Sequence, residues 1–148
     1  YPNIKYFADF GEYKIEGYSI AVIGGAYSVD KSYRLQSGYY WNPEEQLSAV
    51  EQQECLSMLN GKHFDFIFSH TCPYSFRPIH LFLPCINQSK VDNSMENFLE
   101  EVACQVEWDV WCFAHYHNDE ILADGVKMFY EDIWHLDKTY DRLTETKE

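Results

Sequence analysis

The sequence predicts a single mixed α/β domain, and three observations lead to this fold class. Two short apolar runs, residues 65–69 and 108–113, are separated by an amphipathic helical pattern, which is typical of two parallel strands joined by a crossover helix. The 148 residues of the chain are enough to bury one core. Hydrophobic residues make up 46% of the chain, a share that argues against a disordered protein.

A β-hairpin is predicted near the start of the chain. Residues 12–15 and 18–23 are β-prone and are joined by Glu16-Gly17, a pair suited to a tight turn. Gly24-Gly25 follows the second strand. These glycines allow a positive φ or a close backbone approach, as at a ligand site, although a simple turn explains them equally well.

Two helices are predicted to pack against the strands. The first is expected over residues 43–59, with Asn42 as N-cap and Pro43 at the first helical position. The second is expected over residues 93–106. Its apolar residues recur at helical spacing and predict one buried face, made of Met95, Phe98, Leu99, Val102 and Val106.

The remaining segments read as connections and a tail. Residues 73–84 hold several prolines and predict an irregular loop, a candidate lid or specificity loop. A second hairpin, residues 120–123 and 126–130, closes through Asp124-Gly125. Residues 137–148 are strongly charged. We therefore expect a folded domain over residues 1–136 and a solvated, flexible tail after it.

Composition and charge narrow the classes of partner. A net charge of −13 argues against binding to the phosphate backbone of nucleic acids. No apolar run approaches the roughly 18 residues that span a membrane. The five cysteines are odd in number and form no CxxC pair, so free thiols in a reducing compartment are expected. These features predict a soluble, cytoplasmic protein.

Three histidines follow the two predicted central strands. His70 ends the first strand, and His115 and His117 come after the second. If the second strand continues, His115 and His117 point to the same side. If the chain instead turns after Ala114, both lie on a loop at the strand end. Neighbouring parallel strands deliver their carboxyl ends to one sheet edge, so the three imidazoles can converge into a metal site there.

Two other interpretations of these histidines remain open. They can be ordinary side chains at strand ends. Alternatively, a structural zinc ion could be bound by a set that fits no zinc-finger spacing, made of Cys104, Cys112, His115 and His117.

At these residues the chain resembles the calcineurin-like metallophosphoesterases. Ser69-His70-Thr71-Cys72-Pro73 is similar to the family's late lone-histidine motif, and Phe113-Ala114-His115-Tyr116-His117 to its GHxH motif, with Ala114 in place of glycine. The segment 24–30, with Arg34 and residues 41–45, resembles the bacterial and phage protein-phosphatase-like branch. The resemblance covers about residues 7 to 136 and implies a four-layer αββα sandwich with mixed sheets.

The resemblance also implies an activity and a site. Two divalent metal ions, Mn²⁺ foremost and Fe or Zn²⁺ otherwise, would support hydrolysis of phosphomonoesters or phosphodiesters, with phosphoproteins among the candidate substrates. His70 and His115 would bind the second ion and His117 the first, with Tyr116 and Asn118 merely flanking. Arg34, positioned by Asp30, would contact the substrate phosphate.

The family's earlier motifs, GDxHG, GDxxD and GNH[DE], do not occur in the sequence. The catalytic residues are therefore expected upstream of Tyr1, and the chain resembles the C-terminal half of the fold. His63 matches no motif and is not singled out. Half of the sandwich would leave apolar sheet surface open to association. The alternatives are a non-catalytic interaction module on the same scaffold or a fragment that is inactive on its own.

Overall fold

The computed structural model describes residue 4, residues 6–42 and residues 44–145. In these residues the elements are, in chain order, β1 (Phe10–Ile15), β2 (Tyr18–Ile23), α1 (Lys31–Gln36), α2 (Ala49–Leu59), β3 (His63–Ser69), α3 (Ser94–Gln105), β4 (Glu107–Phe113), β5 (Glu120–Ala123), β6 (Val126–Met128) and α4 (Leu136–Thr144). The strands form one six-stranded sheet in the order β1-β2-β3-β4-β6-β5. The described part of the chain is thus a mixed α/β fold, as predicted.

The centre of the sheet is parallel and its edges are antiparallel. β3 lies between β2 and β4 and is parallel to both, and β6 is parallel to β4. The edge strands β1 and β5 run antiparallel to their neighbours. The crossover from β3 through α3 to β4 confirms the predicted parallel unit. Because β2, β3 and β4 are all parallel, their carboxyl ends lie at the same edge of the sheet.

The first hairpin turn and the Gly24-Gly25 segment have the backbone conformations that the sequence predicted. Glu16 and Gly17 both have positive φ, 52° and 95°, as the tight turns favoured between twisted strands require. Gly25 has a φ of 95°, and a Cβ built on it would lie 3.1 Å from the Glu45 carbonyl oxygen. The close approach expected at Gly24-Gly25 is therefore real, and the group that approaches is the backbone near Glu45.

Helix α2 begins later than predicted. Its N-cap is Ser48, whose hydroxyl accepts from the Glu51 N–H while the Glu51 carboxylate accepts from the Ser48 N–H. This reciprocal capping box satisfies two backbone donors and overrides the signal of Asn42 before a proline. The expected start at residue 43 is wrong, and Pro43 itself lies outside the described residues. The later start leaves Glu45 on a loop beside β2.

Both faces of the sheet are covered by helices. One face packs against α2 and α3, whose predicted apolar face is buried: Met95, Phe98, Leu99, Val102 and Val106. On the other face Leu143 of α4 packs in a second core cluster, with Ile20, Phe66, Val110 and Cys112. Of the helices in the described residues, none has the length and apolar character that crossing a bilayer requires.

Helix α4 corrects the expectation of a flexible tail after residue 136. Leu136, Tyr140 and Leu143 share one face at helical spacing, and Leu143 is 2% exposed. The Tyr140 hydroxyl donates to Asp109 Oδ2 at 2.6 Å. The charged composition hid this stripe. The helix also covers part of the sheet face that the half-sandwich expectation left open, while Phe68 stays only partly buried there.

Candidate functional site

The candidate site is built where three parallel strands end side by side. The His70 N–H donates to the Ile23 carbonyl at 3.2 Å, and the Ala114 N–H donates to the His70 carbonyl at 3.0 Å. Hydrogen bonding therefore continues one residue beyond the strands and holds His70 between the ends of β2 and β4. The loops that follow all begin at this edge.

A cavity of about 570 Å³ opens at this edge. Its lining includes all five side chains that the sequence analysis singled out: Asp30, Arg34, His70, His115 and His117. Residues separated by more than half of the chain are thus brought to one concavity, of a size that suits a small ligand. Binding of metal and phosphate by these residues stays a prediction.

The two histidines after β4 lie on a turn. β4 ends at Phe113, and the Tyr116 N–H donates back to the Ala114 carbonyl at 2.8 Å, so that His115 is the centre of a three-residue turn. The φ values of His115 and His117 are 67° and 55°. A left-handed backbone at such residues costs about 1–3 kcal/mol and persists only where the surroundings impose it. Of the two geometries open from sequence, the structure has the turn.

His70 and His115 form a pair, and His117 stands apart from them. The ring centroids of His70 and His115 are 5.2 Å apart, at 69° between ring planes. Two imidazoles that bind one tetrahedral ion have centroids roughly 5 Å apart. His117 instead stacks on Tyr130, with centroids 5.1 Å apart and an interplanar angle of 29°.

Both paired histidines have a pKa below the ordinary value, which favours the neutral form. Burial lowers the pKa of His115 to about 4, and the nearby His70 and His117 act in the same direction. Desolvation also lowers the pKa of His70, although the negative charge of Glu45 opposes this. Neutral imidazole has the free nitrogen lone pair that binds metal ions. The pair is therefore ready to bind a metal at neutral pH.

Glu45 places an incompletely paired carboxylate near the cavity. Its Oε1 accepts a hydrogen bond from the Ser28 hydroxyl at 2.6 Å. Its Oε2 is buried without a hydrogen-bond partner among the described residues. Leaving such an atom unpaired is costly, so Glu45 is a candidate contact for a cation. Sequence reasoning missed it because a longer helix α2 was expected to include it.

Arg34 and Asp30 form an ion pair. Arg34 Nε donates to Asp30 Oδ2 at 2.5 Å along α1, and the two side chains are 52% and 44% exposed. Such an exposed pair contributes little to stability. It borders the cavity, however, so the guanidinium remains available to an anion there.

A buried hydrogen-bond chain supports both histidine loops, and sequence reasoning missed it. The Thr71 hydroxyl donates to Glu96 Oε1 at 2.7 Å and lies 3.1 Å from the Tyr116 hydroxyl. Glu96 is 5% exposed, and burial raises its pKa. Tyr116 is thus no mere flanking residue, because it links α3 to the His115–His117 turn. The available signal was the helical spacing of Glu96 with Leu99.

The connection predicted as an irregular loop also lines the cavity. This connection contains three short 3₁₀ turns, Tyr74–Phe76, Ile79–Leu81 and Gln88–Lys90. Its apolar lining residues are Leu81, Phe82, Leu83, Ile86 and Val91. Phe82 stacks on Tyr116 with centroids 6.0 Å apart. The connection thus adds an apolar patch to the cavity lining, beside its polar residues Arg77, Gln88 and Asn93.

The distances between possible ligand atoms distinguish the candidate metal sites from one another. Within the described residues, one group of three has its ligand atoms within 4.8 Å of one another, namely His63, Asp65 and Asp109, outside the cavity. The three cavity histidines do not meet this distance, which agrees with His117 standing apart. The zinc set with Cys104 and Cys112 does not meet it either. Cys104 is exposed, and Cys112 packs in the core cluster below α4.

The site thus combines a histidine pair, a separate third histidine and an accessible guanidinium around one cavity, and the buried Glu45 oxygen lies near His70. This donor set suits a divalent cation and an anionic ligand. In comparisons with models of known families, with curated proteins and with solved structures, nothing matches the chain.

Proposed function

We propose that this chain forms part of a metal-dependent phosphoesterase of the calcineurin-like type and supplies the late histidine ligands of its metal centre. The observation that carries the proposal is the cavity at the carboxyl edge of the parallel strands, lined by His70, His115 and His117 together with Asp30 and Arg34. In the proposal, the six-stranded sheet is one of the two sheets of the family's four-layer sandwich. The reaction is hydrolysis of a phosphomonoester or phosphodiester.

The residues present fit two divalent ions, with Mn²⁺ foremost. The separation of the His70 and His115 rings suits one shared ion, and His117 lies apart, where it can serve the other. The buried oxygen of Glu45 lacks a partner among the described residues and offers negative charge beside His70. When bound, two such ions neutralise phosphoryl oxygens and lower the pKa of the attacking water.

Other side chains of the cavity have roles in binding. The Arg34 guanidinium binds phosphate oxygens, and Asp30 orients it through their hydrogen bond. The apolar patch around Phe82 holds the organic part of the ester and excludes water from it. Glu96, Thr71 and Tyr116 keep both histidine loops in register, because their hydrogen bonds join α3 to each loop.

The proposal assigns only part of the chemistry to this chain. The family's motifs that supply bridging carboxylates and the histidine that assists the leaving group do not occur in the sequence. Three imidazoles alone bind a cation weakly, since they do not offset its charge. We therefore expect the 148-residue chain by itself to hydrolyse an aryl phosphate negligibly, even in excess Mn²⁺.

Phosphorus NMR relaxation tests whether metal and phosphate meet in the cavity. Paramagnetic Mn²⁺ bound near inorganic phosphate broadens its ³¹P line, and the protein should enhance this broadening beyond that of free Mn²⁺. His117→Ala and Arg34→Gln should each reduce the enhancement, while His135→Ala, outside the cavity, should not. Enhancement that survives both cavity substitutions would contradict the proposal. Mn²⁺ binding without any effect on phosphate would favour a non-catalytic module instead.

A further inference from the structure

A second group of possible metal ligands lies at the other end of β3 and β4, away from the cavity. One imidazole nitrogen of His63 and one carboxylate oxygen each of Asp65 and Asp109 lie within 4.8 Å of one another. His63 Nε2 is 3.2 Å from Asp109 Oδ1. His63 is half exposed, and the two aspartates are partly buried. The group therefore has an opening to solvent and a sheltered floor.

The register of the two parallel strands explains how the aspartates meet. The pairs Phe64↔Trp108 and Phe66↔Val110 have the same offset, so Asp65 and Asp109 lie side by side between them. Successive residues of a strand point to opposite faces of the sheet. Phe64 packs on the side of α2 and α3, whereas Asp109 is hydrogen-bonded to α4 on the other face.

Neutral donors hold both carboxylates in place. Asp65 Oδ2 accepts from the backbone N–H and the hydroxyl of Ser19, both at 2.6 Å. Asp109 Oδ2 accepts from the Tyr140 hydroxyl at 2.6 Å. Hydrogen bonds of this kind orient metal-binding carboxylates. The two carboxylates are thus held in place before an ion binds.

The surroundings of this group attract cations. The pKa of Tyr18, which lies beside it, is raised by burial and then by Asp141, Asp137, Asp65 and Glu16. Every charge in that set is negative. A protein of net charge −13 strengthens this local field at low ionic strength.

We propose that His63, Asp65 and Asp109 form a binding site for a divalent transition-metal ion of the Zn²⁺ type. One nitrogen and two oxygen donors suit Zn²⁺, Co²⁺ or Mn²⁺ better than Ca²⁺, which prefers oxygen ligands alone. Ligand atoms around tetrahedral zinc are roughly 3.3 Å apart, close to the 3.2 Å between His63 Nε2 and Asp109 Oδ1. The bound ion joins the starts of β3 and β4 and, through Ser19 and Tyr140, ties in β2 and α4.

Titration with Co²⁺ and Zn²⁺ tests this site on the full chain. The titrations are made in a His115→Ala/His117→Ala background, which removes two of the three cavity histidines. We expect one equivalent of Zn²⁺ to bind by calorimetry, with visible Co²⁺ absorption typical of low coordination number. His63→Gln and Asp65→Asn should each weaken binding more than tenfold and abolish the absorption. His63 is half exposed, so its substitution leaves the fold intact.

Asp137→Asn is the matched control, because it removes one nearby negative charge without removing a proposed ligand. It should change the affinity by less than threefold. Equal weakening by Asp137→Asn and Asp65→Asn would overturn the proposal, since it would show diffuse attraction only. Absence of Zn²⁺ binding in the His115→Ala/His117→Ala background would overturn it as well. Neither result bears on phosphate binding at the cavity, which is tested separately.

Discussion

Backbone strain at His117 can be measured by comparing two substitutions at the same position. His117 has a φ of 55°, a conformation that costs an L-residue about 1–2 kcal/mol. His117→Ala keeps this cost, and His117→Gly removes it while adding about 0.5–1 kcal/mol of chain entropy to the unfolded state. Both lose the same stacking on Tyr130. The glycine variant should therefore be the more stable by about 0.5–1 kcal/mol.

Asn118 supplies the control, because its φ is not in the positive region. There the order should reverse, with Asn118→Ala more stable than Asn118→Gly by about 0.5–1 kcal/mol. The difference between the two comparisons is the strain itself, about 1–2 kcal/mol. Urea unfolding with a chelator present gives all four free energies. If alanine equals or exceeds glycine in stability at position 117, the left-handed turn is not imposed by the fold and the reasoning fails.

Three further predictions concern stability. Burial raises the pKa of Glu96, so the folded state keeps this proton to a higher pH than the unfolded state does. The wild type should therefore lose stability relative to Glu96→Gln as the pH rises from about 4 to 7. A pH-independent difference in urea unfolding would contradict this. Leu143→Ala should destabilise the chain by about 2–4 kcal/mol if α4 is packed, whereas a flexible tail would give almost no change. Ser48→Ala should lower the free energy of unfolding, measured by thermal unfolding, by about 1 kcal/mol, and Asn42→Ala should lower it much less. The reverse order would indicate that α2 begins at the earlier position.

The sequence predicted the parts of the fold that depend on local pattern. Apolar runs and glycine turns were enough for both hairpins and for the β3-α3-β4 crossover. The crossover in turn predicted that His70 and His115 meet at one edge, since parallel strands leave no other arrangement. The start of α2 was missed because two N-terminal signals compete there, and the capping box of Ser48 and Glu51 prevails over Asn42 before a proline.

Features that depend on tertiary detail were not predictable. Whether His115 adopts a left-handed backbone depends on the loops around it. Glu96 looked like one more surface carboxylate, and its burial depends on the exact rotation of α3 against the sheet. His63 and Asp109 come together only through the register of β3 with β4, which the sequence of either strand leaves open.

The central claim is that His70, His115 and His117 bind metal, and elemental analysis tests it most directly. Each is changed to Ala in a chain that also carries Asp65→Asn, so that the second proposed site does not contribute. At equilibrium with the same concentration of free Mn²⁺, each cavity variant should hold clearly less metal than its parent. His80→Ala and His135→Ala should match the parent. Unchanged metal content in all three cavity variants would contradict the account.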